Sequence, residues 1–184
     1  AYIVSPGYEL DDGAIVIVDG KIAQILEPGT PYPTDADWVY DAEGELVMPG
    51  FIDVHTHGAA GVDVCDADDP TAIEKIAKAK LEEGCTSWCP TTLTVSSEDL
   101  EKALGHVAEY RKNEKYAKVL GVHLEGPFIN PACCGAQNPA FLRKPDIEEV
   151  KRLNAITPVC QISFAPEAEV GEGAKFAREC LEMG

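Results

Sequence analysis

The spacing of apolar positions changes character at Pro49-Gly50. Before that point, short β-branched runs separated by turn residues predict strands, most clearly a hairpin of 14–18 and 21–26. Two further runs are expected to pair with each other: 39–42 and 45–48. A piece this short cannot close a sandwich alone. Residues 1–48 are therefore predicted to be the N-terminal part of a small β-sandwich domain.

After Gly50, apolar runs of strand length alternate with runs of helical periodicity. The predicted strands are 51–57, 86–91, 119–125 and 159–164. Helix starts are predicted at Asp69, Ser96, Asp146 and about Glu172. Four β-α units in series imply a parallel sheet with right-handed crossovers.

A (β/α)8 barrel needs eight such units and about 250 residues. Residues 49–184 are therefore predicted to be the N-terminal half of such a barrel, of the TIM-like metal-dependent hydrolase kind. An open doubly wound α/β sheet is the alternative, but no glycine-rich phosphate loop follows the first strand.

Charge and cysteine content limit the partners and the cellular compartment that the sequence favours. The formal net charge is −17, from 32 acidic and 15 basic residues, which argues against nucleic acid and anionic membranes as partners. No apolar run approaches the roughly 20 residues of a membrane span. Seven cysteines without a secretion signal predict reduced thiols in a cytoplasmic protein, most of them acting as small buried hydrophobes.

Candidate metal ligands lie where two predicted strands end. With the period of two of a strand, Asp53, His55 and His57 share one face. On the third strand His123 and Glu125 share the face opposite the apolar residues. Because sites in parallel α/β folds form at the carboxyl ends of strands, two imidazoles and a carboxylate are expected to meet there.

This donor set suits zinc or iron, which would polarise a carbonyl and lower the pKa of bound water. Other interpretations stay open from the residues alone. His55 and His57 also fit surface or packing histidines. Asp53 either lies behind the ligands and orients a histidine or is a buried acid with a backbone partner. His123 either lies behind the ligands and supports one of them or packs in the interior.

Longer motifs point to a family. The run PGFIDVHTHG at 49–58 resembles the first-strand signature of the amidohydrolase superfamily. HLEGPFINP at 123–131, together with GAQNP at 135–139, resembles more specifically the family of N-acetylglucosamine-6-phosphate deacetylases. APE at 165–167 also fits. The resemblance extends over essentially the whole chain, but only over the N-terminal half of a family member.

The resemblance implies metal-dependent hydrolysis of the acetamide of N-acetylglucosamine 6-phosphate to glucosamine 6-phosphate and acetate, in amino-sugar catabolism. It makes Glu125 a metal ligand, favours a second metal at His55 and His57, and places Ala136 and Gln137 against the sugar. One or two divalent ions, zinc or iron, are implied, and so is a homodimer of the full-length protein.

The resemblance also implies that the catalytic general base is an aspartate beyond Gly184, so these 184 residues alone are expected to be inactive. Two alternatives remain. One is another amidohydrolase, dihydroorotase-like or deaminase-like, against which the HLEGPF run argues. The other is a non-enzymatic fragment that only binds metal. The role of Cys133-Cys134 stays open.

Overall fold

The structure is a computed structural model that describes residues 1–167 and 173–183. Contacts between Cα atoms divide the chain into two units, Ala1–Gly50 and Phe51–Gly184. The division falls two residues after the predicted change of domain at 48. No described helix is long and apolar enough to cross a membrane.

The first unit is built from short strands. They are β1 (Tyr2–Ser5), β2 (Tyr8–Leu10), β3 (Ala14–Val18), β4 (Lys21–Leu26) and β5 (Leu46–Val47). β3 and β4 form an antiparallel hairpin, as predicted. Its turn needs left-handed backbone at both central residues, which Asp19 (φ 51°) and Gly20 (φ 72°) supply.

The predicted pairing of 39–42 with 45–48 is wrong. Residues 39–42 form no strand, and β5 pairs in parallel with β1, which also pairs antiparallel with β2. The Glu45 amide closes a turn on the Ala42 carbonyl at 2.7 Å, and the Glu45 carbonyl then accepts from the Tyr2 amide at 3.0 Å. The chain leaving the turn is thus held by the first strand instead of folding back on 39–42.

The second unit is a parallel sheet with helices. Its strands are β6 (Phe51–Thr56), β7 (Gly58–Ala59), β8 (Val62–Asp63), β9 (Cys85–Thr92), β10 (Lys118–Val119), β11 (Val122–Glu125) and β12 (Val159–Ser163). Its helices are α1 (Ala72–Glu82), α2 (Ser97–Tyr110), α3 (Ile147–Ile156) and α4 (Gly173–Glu182). β7 and β8 form a separate hairpin.

In the main sheet β9 pairs with β6 on one side and with β10 and β11 on the other. β12 pairs with β11, and every pairing is parallel. This confirms the predicted parallel sheet of βα units. β10 and β11 are two pieces of the predicted third strand, which is interrupted at Leu120 and Gly121. Within the described residues, β6 pairs only with β9 and β12 only with β11.

The helices bury one face of this sheet. Trp88 and Leu124 from the strands lie in one fully buried cluster with Ile76 of α1, Leu104 of α2 and Leu153 of α3. Burying side chains of this size contributes about 1.5–3 kcal/mol each. Because Leu124 points into this core, its neighbours on β11 point to the other face of the sheet.

Helix starts follow local capping signals. The Ser96 hydroxyl accepts from the Asp99 amide and the Asp146 side chain from the Glu148 amide, which confirms two predicted caps. α1 is capped at Thr71 rather than at Asp69. The Asp69 carboxylate instead accepts from the Thr71 amide at 2.8 Å. The predicted start at Glu172 lies outside the described residues.

Candidate metal centre

Two histidines and one glutamate converge at the carboxyl end of the sheet. His55 is the next-to-last residue of β6, His57 is the first residue after that strand, and Glu125 ends β11. One ligand atom from each lies within 4.8 Å of the others. The Glu125 Oε2 lies 2.8 Å from His57 Nε2 and 3.4 Å from His55 Nε2. The structure thus brings together the three residues predicted as ligands.

The contacts of the His57 ring indicate which of its two nitrogens carries the proton. Its Nδ1 lies 3.1 Å from the Thr91 carbonyl, which can only accept, so Nδ1 carries the proton. In the neutral ring, Nε2 then presents a lone pair to the Glu125 carboxylate. Metal-bound histidines commonly bind a backbone carbonyl through the other nitrogen in this way.

Glu125 Oε2 is buried and makes no hydrogen bond with any described residue, although two ring nitrogens lie close to it. A buried carboxylate oxygen without a partner is costly. A cation bound by Glu125, His55 and His57 would satisfy that oxygen and both ring lone pairs. Nitrogen and oxygen donors of this kind suit zinc or iron, so the residues fit a divalent metal.

His123 lies against these ligands without joining them. It is 1% exposed, and its ring centre lies 5.0 Å from that of His55 in an edge-to-face contact. Its Nε2 lies 2.8 Å from the Ser163 hydroxyl at the end of β12. Burial lowers the pKa of His123, and the nearby His55 acts in the same direction. A neutral His123 supports the His55 ring.

Asp53 does not share the face of the two histidines as predicted. A register shift between Asp53 and Thr56 interrupts the alternation of β6. The Asp53 carboxylate therefore accepts from the Thr56 hydroxyl and, at 3.2 Å, from Lys80 of α1. It also accepts from the His55 amide at 3.0 Å. Asp53 thus holds the backbone of His55 rather than its ring.

Asp53 and Lys80 form an ion pair beside the site. Burial alone would raise the pKa of Asp53, but hydrogen bonds from Thr56, His55 and Lys80 hold it below its usual value. Burial would lower the pKa of Lys80, but Glu83 and Asp53 hold it above its usual value. Both groups are charged at neutral pH, so α1 anchors β6 beside the site through an ion pair.

The predicted substrate residues lie in the loop after β11. Gln137 is buried, and its Oε1 accepts from the Thr94 amide at 2.7 Å. Ala136 is exposed beside it. Sequence reasoning missed Ser163, Lys80 and the Thr91 carbonyl as neighbours of the site. Ser163 was detectable as a polar residue at a strand end, whereas a backbone carbonyl leaves no residue-type signal.

A parallel βα sheet with a His-His-Glu group at its carboxyl end is the arrangement expected of the amidohydrolase family. The model of the amidohydrolase family matches residues 46–183, and the chain belongs to this family. The family is metal-dependent.

Individual relatives are more specific. The chain is 39% identical over 163 residues to an N-acetylgalactosamine-6-phosphate deacetylase of Escherichia coli O157:H7, covering 87% of this chain and 41% of the relative. It is 34% identical over 156 residues to an N-acetylglucosamine-6-phosphate deacetylase of Bacillus subtilis, covering 82% of this chain and 38% of the relative. The chain thus spans about two fifths of the length of these relatives.

Solved structures superpose on nearly all of this chain, which again covers less than half of their own length. The N-acetylglucosamine-6-phosphate deacetylase of Thermotoga maritima superposes with a TM-score of 0.72 at 30% identity, covering 93% of this chain and 42% of that one. The enzyme of Pasteurella multocida superposes with a TM-score of 0.76 at 24% identity, covering 97% of this chain and 47% of that one. The second likeness shows the fold alone.

Proposed function

We propose that the full-length protein hydrolyses the acetamide of N-acetylglucosamine 6-phosphate, giving glucosamine 6-phosphate and acetate. The observation that carries this proposal is the convergence of His55, His57 and Glu125, with a buried carboxylate oxygen that makes no hydrogen bond to any described residue. The deacetylase names of the similar proteins supply the substrate class.

The residues of the proposed site are of two kinds: metal ligands and the groups that orient or support those ligands. Glu125, His55 and His57 hold one or two divalent ions, zinc or iron, which would polarise the amide carbonyl and acidify bound water. His57 is oriented by the Thr91 carbonyl, and His55 is supported by His123 and by the Asp53 contact to its amide.

Ala136 and Gln137 form the proposed sugar contacts. The Thr94 amide occupies Oε1 of Gln137, so its amide nitrogen is the group proposed to face the sugar. The general-base aspartate is proposed to lie beyond Gly184. Residues 1–48 are proposed to belong to a β-sandwich domain and 49–184 to half of a (β/α)8 barrel. The full-length protein is proposed to be a cytoplasmic homodimer.

The direct test is acetate release by the purified full-length protein loaded with zinc or iron. N-acetylglucosamine 6-phosphate should be turned over, whereas unphosphorylated N-acetylglucosamine should not. N-acetylgalactosamine 6-phosphate is the second candidate substrate, favoured by the 39% identity to the Escherichia coli enzyme. The ratio of kcat/KM for the two sugar phosphates decides between them.

Dihydroorotate and adenine belong in the same assay because they represent the other amidohydrolase reactions. Turnover of either one, with no acetate from both sugar phosphates, would overturn the proposed function in favour of a different reaction of the same fold. No turnover of any of these compounds by metal-loaded protein would favour a non-enzymatic metal-binding role.

The two histidines give a separate prediction. His55→Gln removes one nitrogen ligand and keeps a side chain of similar size, so the metal content should fall by about one ion per chain if the pair holds a second metal. Elemental analysis of the full-length protein measures this. The thermal midpoint should change little, because the His55 side chain is half exposed.

His106→Gln is the matched control. His106 lies on α2 and its Nε2 lies 2.9 Å from the Ala67 carbonyl, away from the proposed ligands. Its replacement should leave the metal content unchanged. An unaltered metal content in both variants would assign His55 and His57 a structural role.

A further inference from the structure

Two thiols from strands that are not neighbours touch each other in the sheet. Cys89 of β9 and Cys160 of β12 have their sulfur atoms 3.6 Å apart, although β11 lies between the two strands. Cys89 is 4% exposed, and Cys160 is exposed. The prediction that most cysteines are buried is wrong, because of the seven free thiols only Cys89 is buried. Neither thiol belongs to the group formed by His55, His57 and Glu125.

The contact depends on a gap in the strand between them. Gly121 lies at the interruption before β11, and a Cβ built there would lie 2.8 Å from Cys160 Cβ and 3.0 Å from its sulfur. Cys160 also lies at a register shift, since Val159 and Gln161 pair with consecutive residues of the neighbouring strand. A glycine and an irregular ladder thus let Cys160 lean across β11 towards Cys89.

The backbone geometry disfavours a disulfide. Strands separated by one neighbour lie about 9.5 Å apart, twice the usual spacing. A disulfide requires Cα atoms within about 7 Å. Cys89 and Cys160 are therefore held as a pair of thiols, close enough to share a ligand. Thiolate sulfur is the donor that soft cations such as Cu(I) select.

We propose that Cys89 and Cys160 form a two-thiolate site for one soft monovalent cation, Cu(I) or Ag(I). Without the cation Cys89 is a neutral thiol, since burial raises its pKa to about 12 and the Cys160 sulfur adds to that shift. Binding forms two metal–sulfur bonds, releases both thiol protons to solvent and leaves the site with one negative charge. No electron is transferred.

Ag(I) is the probe, because it is stable in air and can be added as its nitrate in chloride-free buffer. The full-length protein should carry Cys133→Ser and Cys134→Ser, which removes the exposed vicinal thiols. Native mass spectrometry should then show one silver ion per chain with the loss of two protons. Because two protons leave, the apparent affinity should rise about 100-fold per pH unit below the thiol pKa values.

Single replacements locate the site. In the same background, Cys89→Ser and Cys160→Ser should each lower silver affinity at least tenfold, and Gly121→Ala should weaken it because the new Cβ displaces Cys160. Cys85→Ser, on the same strand as Cys89, is the matched control and should bind silver like the parent. Circular dichroism of both cysteine variants should match that of the parent, which separates loss of the site from unfolding.

Two results would overturn the proposal. One is equal silver binding by the parent, Cys89→Ser and Cys160→Ser. The other is quantitative loss of two hydrogen masses when the parent is treated with a mild thiol oxidant, with the Cys89–Cys160 link found by peptide mapping. That result would make the pair a disulfide and refute the spacing argument.

Discussion

Replacing Glu125 with alanine should remove metal and activity together from the full-length protein. The Glu125 Oε2 lies 2.8 Å from the ring nitrogen of His57 and 3.4 Å from that of His55, so its loss removes the anionic partner that the two imidazoles share. Metal catalysis of this kind is worth several kcal/mol. At 1.36 kcal/mol per tenfold, kcat/KM should fall about a thousandfold or more.

Glu125→Gln sharpens this test. The amide keeps the size and one oxygen of the carboxylate but loses its charge, so metal should bind more weakly yet still be detectable at high concentration. Elemental analysis, acetate release and circular dichroism should be measured on the same samples. A variant that is folded and inactive but has the parent's metal content would contradict the assignment of Glu125 as a ligand.

The sequence predicted those features that depend on local signals. The β3–β4 hairpin follows from turn residues, the helix starts at Ser96 and Asp146 follow from capping side chains, and the parallel sheet follows from the alternation of strand and helix periods. The convergence of His55, His57 and Glu125 follows because parallel strands end at one edge.

Features that depend on neighbouring strands were not predictable in this way. The register shift in β6 turns Asp53 towards Lys80, and strict alternation along one strand cannot reveal it. The interruption at Gly121 is of the same kind, since it depends on Cys160 of the next strand filling the space. The Thr91 carbonyl that orients His57 is a backbone group, so residue type carries no information about it.

The largest expected effect on stability comes from an ion pair outside the metal centre. Arg143 donates to both oxygens of Glu149, from Nε at 2.9 Å and from a terminal nitrogen at 2.6 Å. Its other terminal nitrogen donates to the Val95 and Phe141 carbonyls, which ties the loop after β11 to the segment before α2. Glu149 is 3% exposed and also accepts from the Ser97 hydroxyl at 3.0 Å.

Arg143→Met should destabilise the protein by about 3 kcal/mol at pH 7, because it leaves a buried carboxylate without its cation. Unfolding followed by circular dichroism measures the loss. Lys151→Met is the matched control on the same helix, since Lys151 lies 2.7 Å from Glu148 in an exposed pair and its loss should cost less than about 1 kcal/mol. Similar losses in the two variants would mean that the buried pair contributes no more than a surface one.

The pH dependence separates the ion pair from simple packing. Burial alone would raise the pKa of Glu149, but the bonds from Arg143 outweigh it and hold the pKa below its usual value. The stability from this depressed pKa is fully present above the unfolded value of about 4.3 and is lost as the pH falls through the folded value. In Arg143→Met, burial is opposed only by the Ser97 hydroxyl and the charge of Arg152, so the carboxyl is expected to protonate more readily than in the unfolded chain. The difference in unfolding free energy between parent and variant should therefore shrink as the pH falls from 7 to 4, whereas a packing defect would leave it constant.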